Sequence, residues 1–366
     1  MKKKIVIASV LKPIDDVRSY WKLSQSILKT NKYDLNIIGN IGKKAIDDIK
    51  VTFHTHSLNR TNWAKRLIIR EKILLKILRI NPDILIVTSH ELLNISLIAK
   101  LTTGCKVVYD VQEDYYKNLR FIDTSPLRNI YSLMVRLKEQ ISRLYVTTYW
   151  LAEKCYAEEI RFIKGKFVVI ENKAFNHQVP VRSFEQINML FSGSVSDYSA
   201  ARNAIHLFEK LKGQQSDIRL KIIGQVHDSK LEKWLFEKQK EHPEIELQIS
   251  QEAISYPEIL EAISTANLGV IGYEPNEVNR RKIPTKLYEY SRYKLPYVVA
   301  TNSYWEEVGG SLGGAIPIDF ANPGIEKMVE NWKNSPELFQ ERYPTEATWE
   351  SESEKLVQSL EKLSKA

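Results

Sequence analysis

Several scarcities narrow what this chain can be. Only two of its 366 residues are cysteine, Cys105 and Cys155. Two thiols build neither a disulfide framework nor a thiolate zinc site, and they suit a reduced compartment. Glycine (14) and proline (13) are too few for a collagen-like or low-complexity chain. No apolar run approaches the ~18–20 residues that span a bilayer. The N-terminal run Ile5 to Leu11 stops at Lys12-Pro13, and no small-residue cleavage site follows. It reads as a first strand rather than a secretion signal. No G-x-G-x-x-G, Walker lysine motif or G-x-S-x-G is present. The histidines at 54, 56, 90, 177, 206, 227 and 242 show no metal-ligand spacing, His54-x-His56 included. No metal and no resident cofactor are expected.

The chain has instead an excess of positive charge, unevenly placed. Residues 1–185 hold 32 Lys and Arg against 18 Asp and Glu, a net of +14. Residues 186–366 hold 21 against 27, a net of −6. Such asymmetry points to two domains with different partners, the basic one attracting anions such as phosphorylated substrates or lipid headgroups. The densest basic segment runs from Arg60 to Arg79. Trp63, Leu67, Ile68, Leu74, Leu75, Ile77 and Leu78 are expected to share a helical stripe there, flanked by Lys65, Arg66, Arg70, Lys72, Lys76 and Arg79. A basic amphipathic helix of this kind can lie on anionic lipid or pack on a sheet with its lysine stems solvated.

Short β-branched runs alternate with segments of helical period. Strands are expected at Lys4–Val10, Asp34–Ile38, Val51–Phe53, Ile84–Val87, Lys106–Tyr109, Tyr145–Thr147 and Phe167–Ile170, with helices at 17–29, 60–80, 92–101, 126–142 and 149–162. After Asn176 to Gln186, an aperiodic stretch that reads as a linker, the pattern restarts. Strands follow at Asn188–Phe191, Arg219–Ile223, Glu246–Ile249, Leu268–Ile271, Tyr297–Ala300 and Ile316–Ile318, with helices at 199–212, 229–241, 256–265, 284–293 and 324–333. Nearly continuous apolar strands alternating with helices mean parallel sheets covered on both faces. The fold class is α/β, two doubly wound Rossmann-like domains facing a central cleft. The expected divisions are 1–178, 187–344 and a C-terminal helix, 345–366, packing back toward the N-terminal domain. Ligands in such sheets bind outside the carboxyl ends of the strands.

Three stretches carry candidate chemistry. In Phe191-Ser192-Gly193-Ser194 a strand runs into a glycine and a helix opens shortly after. Gly193 lets backbone approach a phosphate, and the helix N-terminus offers free N–H groups; the plain alternative is a turn. In Pro284-Thr285-Lys286-Leu287-Tyr288-Glu289 a lysine sits in the first turn of a helix, against the dipole. It calls for an anion, a diphosphate being the natural one, with Glu289 on the same face able to accept from ribose hydroxyls; the alternative is an exposed ion pair. In Tyr109-Asp110-Val111-Gln112-Glu113-Asp114 an apolar strand ends in crowded acids. These can position a hydroxyl or act as a base, or merely cap the next element. Asp15-Asp16, after the first strand, can cap a helix, and Arg18 can meet an anionic acceptor.

These residues, with Leu220-Lys221-Ile222-Ile223-Gly224, Tyr256-Pro257-Glu258-Ile259-Leu260 and Leu295-Pro296-Tyr297-Val298-Val299-Ala300, resemble a GT-B glycosyltransferase, similar to the retaining family 4, over nearly the whole chain. The resemblance implies a sugar moved from a nucleotide-diphosphate sugar to an acceptor, lipid-linked, in cell-surface polysaccharide or glycolipid synthesis. It implies a retaining, metal-independent hexosyltransferase, cytoplasmic and peripheral at the inner membrane face. Donor binding would fall to Gly193, Ser194, Arg202, Tyr256, Lys286 and Glu289, acceptor binding to Asp15, Arg18 and Asp114, and catalysis to Glu113, Gln112 and Lys286. Two positions depart from the family pattern. Arg281 stands where a first glutamate is common, eight before Glu289, and Gln112 stands where a sugar-contacting histidine is common. A nucleotide-binding scaffold partnering an active transferase, and a nucleotide-sugar epimerase or hydrolase, are the alternatives. A nucleic-acid-binding protein would suit the basic half, but no nucleic-acid motif is present.

Overall fold

The structure is a computed structural model describing residues 2–42, 48–58, 63–121, 126–214, 217–339 and 341–365, with Trp63 and Ala64 as backbone only. Arg60 and the Trp63 side chain of the basic segment lie outside the described residues. By contact density the chain forms two units, Met1–Asn172 with Ser351–Ala366, and Lys173–Glu350.

The first unit carries a seven-stranded sheet: β1 (Lys3–Pro13), β2 (Tyr33–Asn40), β3 (Val51–His56), β4 (Ile84–Val87), β5 (Lys106–Val111), β6 (Thr148–Leu151) and β7 (Phe167–Val169). Their order is β3-β2-β1-β4-β5-β6-β7, all parallel. Its helices are α1 (Gln25–Lys29), α2 (Trp63–Ile80), α3 (Leu93–Thr103), α4 (Tyr115–Phe121), α5 (Pro126–Ser142) and α6 (Tyr156–Glu159). The second unit holds six parallel strands: β8 (Ile187–Val195), β9 (Ile218–Val226), β10 (Ile245–Ser250), β11 (Leu268–Ile271), β12 (Tyr297–Ala300) and β13 (Ala315–Ile318), ordered β10-β9-β8-β11-β12-β13. Around it lie α7 (Ala201–Lys212), α8 (Ser229–Glu241), α9 (Tyr256–Thr265), α10 (Thr285–Arg292), α11 (Ser303–Leu312) and α12 (Ile325–Lys333). Helix α13 (Trp349–Lys365) closes the chain. Strands such as β4, Ile-Leu-Ile-Val, are buried throughout because helices cover both faces of each sheet.

Each sheet reverses its winding once, between β1 and β4 and between β8 and β11. At such a switch point neighbouring loops leave in opposite directions and open a crevice at the carboxyl edge. Strands β8 and β11 pair over only two residues, Met189 and Leu190 against Leu268 and Gly269, so β8 runs on unaccompanied on that side toward Gly193.

The structure departs from these expectations at several places. Strand β6 is Thr148–Leu151, not Tyr145–Thr147, and only Tyr156–Glu159 of the expected helix 149–162 is α-helical. Tyr149, Trp150 and Leu151 are all fully buried, which a strand covered on both faces permits and a surface helix does not. Helix α11 is not expected from the sequence, where Gly309 and Gly310 argue against a helix; Gly309 is needed there, since a Cβ on it would lie 2.5 Å from that of Ala315. Residues 17–24 form a π-helix, a rare form that concentrates at functional sites. Helix α2 buries Ile69, Ile73, Leu74 and Ile77, while Leu67, Ile68 and Leu75 of the expected stripe face solvent. No described helix is long and apolar enough to cross a membrane.

Candidate functional site

The switch point of the second unit assembles one cluster. Gly193, at φ +111°, follows the buried run Met189–Ser192 of β8. Its neighbour in register is Gly224 of β9, where a Cβ would sit 1.7 Å from the Gly193 carbonyl oxygen. The two glycines thus let the strand ends close up. Over Gly193 lies Lys286, whose Cε would be 3.4 Å from a Cβ placed there. Pro284 precedes α10 as its cap, so Lys286 stands in the first turn as expected. Its Nζ donates to Glu289 Oε2 at 2.5 Å. Glu289 is buried (2% exposed), so this is not the exposed pair of the plain alternative. The buried Tyr256 hydroxyl also donates to Glu289; burial first, then that carboxylate, pushes its pKa far up and keeps it a donor.

The donor residues read from sequence therefore divide. Gly193, Tyr256, Lys286 and Glu289 form one group. Ser194 is exposed beside it, its carbonyl accepting from Ser199 Oγ at 2.6 Å. Arg202 is turned elsewhere, with Nε on Asp197 Oδ1 at 2.8 Å and its guanidinium 4.3 Å over the Trp234 ring of α8. Gly272, after β11, packs on the entry to α7, where a Cβ would lie 2.6 Å from the Ala200 carbonyl oxygen. Glu274 accepts from Asn203 Nδ2 at 2.9 Å.

The switch point of the first unit holds a second cluster. Asp110, at the end of β5, is wholly buried and takes Arg18 in bidentate fashion, Nη2 to Oδ1 at 2.6 Å and Nε to Oδ2 at 2.9 Å. Arg18 Nη1 donates to the Ile170 carbonyl and to Asn172 Oδ1, at 2.9 and 3.0 Å. Arg18, expected to meet an acceptor, is spent on this buried network, which anchors the π-helix to the chain leaving β7. Gln112 donates to Asp110 Oδ2 at 2.7 Å and accepts from Lys12 Nζ. Asp114 is likewise internal: it accepts from the Lys117 amide at 3.2 Å as the α4 cap and pairs with Arg136 at 3.1 Å. Glu113 is exposed and accepts from Asn118. Asp16 accepts from the Ser19 amide at 2.9 Å. Burial raises its pKa, but Lys12 and Ser19 together hold it below the ordinary value. Asp15 differs: burial pushes its carboxyl up, and its buried Oδ1 has no hydrogen-bond partner among the described residues.

Two residues of these clusters escaped the sequence reading. Lys12 directly follows the first apolar run, but nothing local says it reaches Gln112, 100 residues on. Gly224 stood within a quoted motif without a role. Among the described residues one trio could ligate a metal, Glu209, Glu241 and His242. Lys238 already occupies it, 2.9 Å from Glu209 and 2.8 Å from Glu241.

No family model matches the chain, and no curated protein matches it by sequence. Solved structures do match it along its length. Anabaena HepE, in complex with UDP-glucose, shares 11% identity at a TM-score of 0.66, covering 98% of this chain and 100% of that one. Sucrose-phosphate synthase from Thermosynechococcus elongatus shares 12% at 0.64, covering 99% of each. A Listeria monocytogenes protein designated a UDP-N-acetylglucosamine 2-epimerase shares 11% at 0.59, covering 92% and 89%. The fold is of the GT-B type. Identities this low speak for the GT-B architecture of two Rossmann-like units alone, and by their names these proteins include both a synthase and an epimerase.

Proposed function

We propose that the protein is a glycosyltransferase moving a sugar from a nucleotide-diphosphate sugar to a lipid-linked acceptor at a membrane surface. The observation that carries this reading is Lys286 lying over Gly193 at the second unit's switch point, held from behind by the buried Glu289. A lysine in a first helical turn is placed against the dipole, and an incoming diphosphate reverses that penalty. Lys286 and the α10 N-terminus would stabilise the charge growing on the leaving diphosphate. Glu289 would take the ribose hydroxyls, with Tyr256 fixing its orientation. Ser194 would lie along the phosphates; Arg202 would have to leave Asp197 to take part. Such leaving-group assistance asks for no resident metal or cofactor and suits a retaining outcome.

On the acceptor side Asp15 is the best-placed candidate, because its Oδ1, buried and without a hydrogen-bond partner among the described residues, can accept a hydroxyl proton. Gln112 and Glu113 at the end of β5 would face the transferred sugar. Replacing Lys286 by Ala should weaken nucleoside-diphosphate binding roughly ten- to a hundredfold, the ~1.5–3 kcal/mol of a charged hydrogen bond, while sparing the bare nucleoside. Equal losses in titration calorimetry would show that Lys286 does not meet the phosphates.

The scaffold reading is favoured by one observation: both ends of the Gln112 amide are already engaged, by Asp110 and Lys12. Nucleotide binding without turnover of any nucleotide sugar, in the presence of extracted lipid acceptors, would support it.

A further inference from the structure

Helix α5 is built inside out. Its buried positions are Ser132, Val135, Glu139 and Ser142, three of the four polar. Its solvent side carries Leu127, Ile130, Leu133, Met134, Leu137 and Ile141, each between 48% and 79% exposed. At ~100° per residue these six fall within an arc of about 120°, opposite the buried four. A surface helix ordinarily shows the reverse pattern, and contiguous exposed apolar area of this kind marks an interaction site.

The charge around the arc is of one sign. Lys138 falls on one edge, Arg136 and Arg143 toward the other. Glu139, the helix's single acid, is buried beneath and pairs with Arg136 at 3.5 Å. Helix α3 packs against both α5 and α2. From α2, Arg66 and Arg70 converge on the same place. His90 is held neutral first by burial and then by Lys138, Arg66 and Arg70, and Lys138 is pressed down by burial and then by Arg70. Glu91 offsets part of this, pairing with Arg66 at 3.1 Å. Leu67 and Ile68, between those two arginines, are also exposed. An apolar strip edged by crowded cations is the composition that seats a helix in an anionic bilayer interface. A second copy of the same face would bring its cations against these.

We propose that the solvent face of α5, with the basic end of α2 beside it, docks the first unit onto an anionic lipid surface. This deepens the proposed function, giving its membrane-presented acceptor a docking face, and it shifts the expected lipid contact from α2 to α5.

The test is sedimentation of the full chain with vesicles of phosphatidylcholine alone or with 30% phosphatidylglycerol. Wild type is expected to partition onto the anionic vesicles at least roughly tenfold more strongly than onto neutral ones, and to be released by salt. The triple variant Ile130→Ser, Met134→Ser, Leu137→Ser changes only exposed side chains and should lose about tenfold or more of that partition. In a separate sample, Leu137→Cys carrying an environment-sensitive dye should shift to the blue on anionic vesicles, so the outcome does not hang on a loss alone. No wild-type binding, undiminished binding by the triple variant, or an unchanged dye would each overturn the proposal. So would a lipid-free dimer that the triple variant dissolves, since a second copy would then be the occupant. Turnover of nucleotide sugars measured on the same samples decides the glycosyltransferase reading separately.

Discussion

Gly193 and Gly224 stand side by side in register, yet they should tolerate alanine very differently. At Gly224 the new methyl group would collide with the Gly193 carbonyl at 1.7 Å, and backbone cannot yield cheaply. Gly224→Ala should cost more than about 3 kcal/mol, beyond ordinary overpacking. At Gly193 the methyl group meets only the flexible Lys286 stem at 3.4 Å, and the cost is the strain of φ +111°, about 1–3 kcal/mol. Chemical denaturation of both variants checks the order. Arg18 makes a second residue-scale prediction. Arg18→Ala leaves Asp110 buried without its partner and should cost about 3–5 kcal/mol, whereas a surface arginine bound for a ligand would cost almost nothing. This also marks where sequence reading stopped. Lys286 and Glu289 could be paired from their spacing, three apart in one helix. Arg18 could not be matched to Asp110, because the partner is 92 residues away and only the sheet order brings them together.

At the scale of elements, α5 has a consequence for pH. Glu139 is held at a pKa of about 7, against 4.5 for an ordinary glutamate, by burial first and then by Asp114, with Arg136 opposing. A carboxyl whose folded pKa is raised binds its proton more tightly when folded. Its contribution is therefore fully present below about 4.5 and is lost as pH rises through about 7. Glu139→Gln keeps the shape and removes the titration. It should flatten the stability profile across that window and raise stability at pH 8, by an amount on the order of 1–3 kcal/mol. Denaturation midpoints at several pH values would show it; parallel wild-type and variant profiles would refute it. Helix 126–142 was itself legible from periodicity, but which side faces the sheet was not, since its apolar stripe points to solvent. In α2 the stripe was divided for the same reason: Ile69 and Ile73 pack inward while Leu67 and Ile68 do not. Periodicity finds a helix; the neighbours decide which face they cover.

At the scale of the whole molecule, the chain returns to its first unit at the end. In α13, Leu356 and Leu360 are fully buried, Glu352 accepts from the Glu171 amide at 2.9 Å, and Ser359 takes the Trp150 indole at 3.0 Å. Deleting 351–366 should therefore lower the stability of the first unit while leaving the diphosphate binding proposed for the second intact, which limited proteolysis with and without ligand can resolve. Two parallel sheets could be read from alternating strands and helices, because buried strands are nearly continuous apolar runs. The Gly193–Lys286–Glu289 group could be read too, since Gly193 stands at a strand end, Lys286 at a helix start and Glu289 three residues on along the same helix. The first unit's cluster was less legible, because its polar residues serve one another. Whether the group over Gly193 holds a diphosphate can be read from thermal stability. Thermal unfolding of the full chain should be followed against UDP, ADP and GDP and their nucleosides, with chelator present. At about 100 times its dissociation constant, at least one diphosphate should add roughly 2.7 kcal/mol, the nucleosides far less, and Lys286→Ala should abolish the difference. If no diphosphate raises the midpoint above its nucleoside, Lys286 and Glu289 form an internal ion pair and the proposed donor site falls.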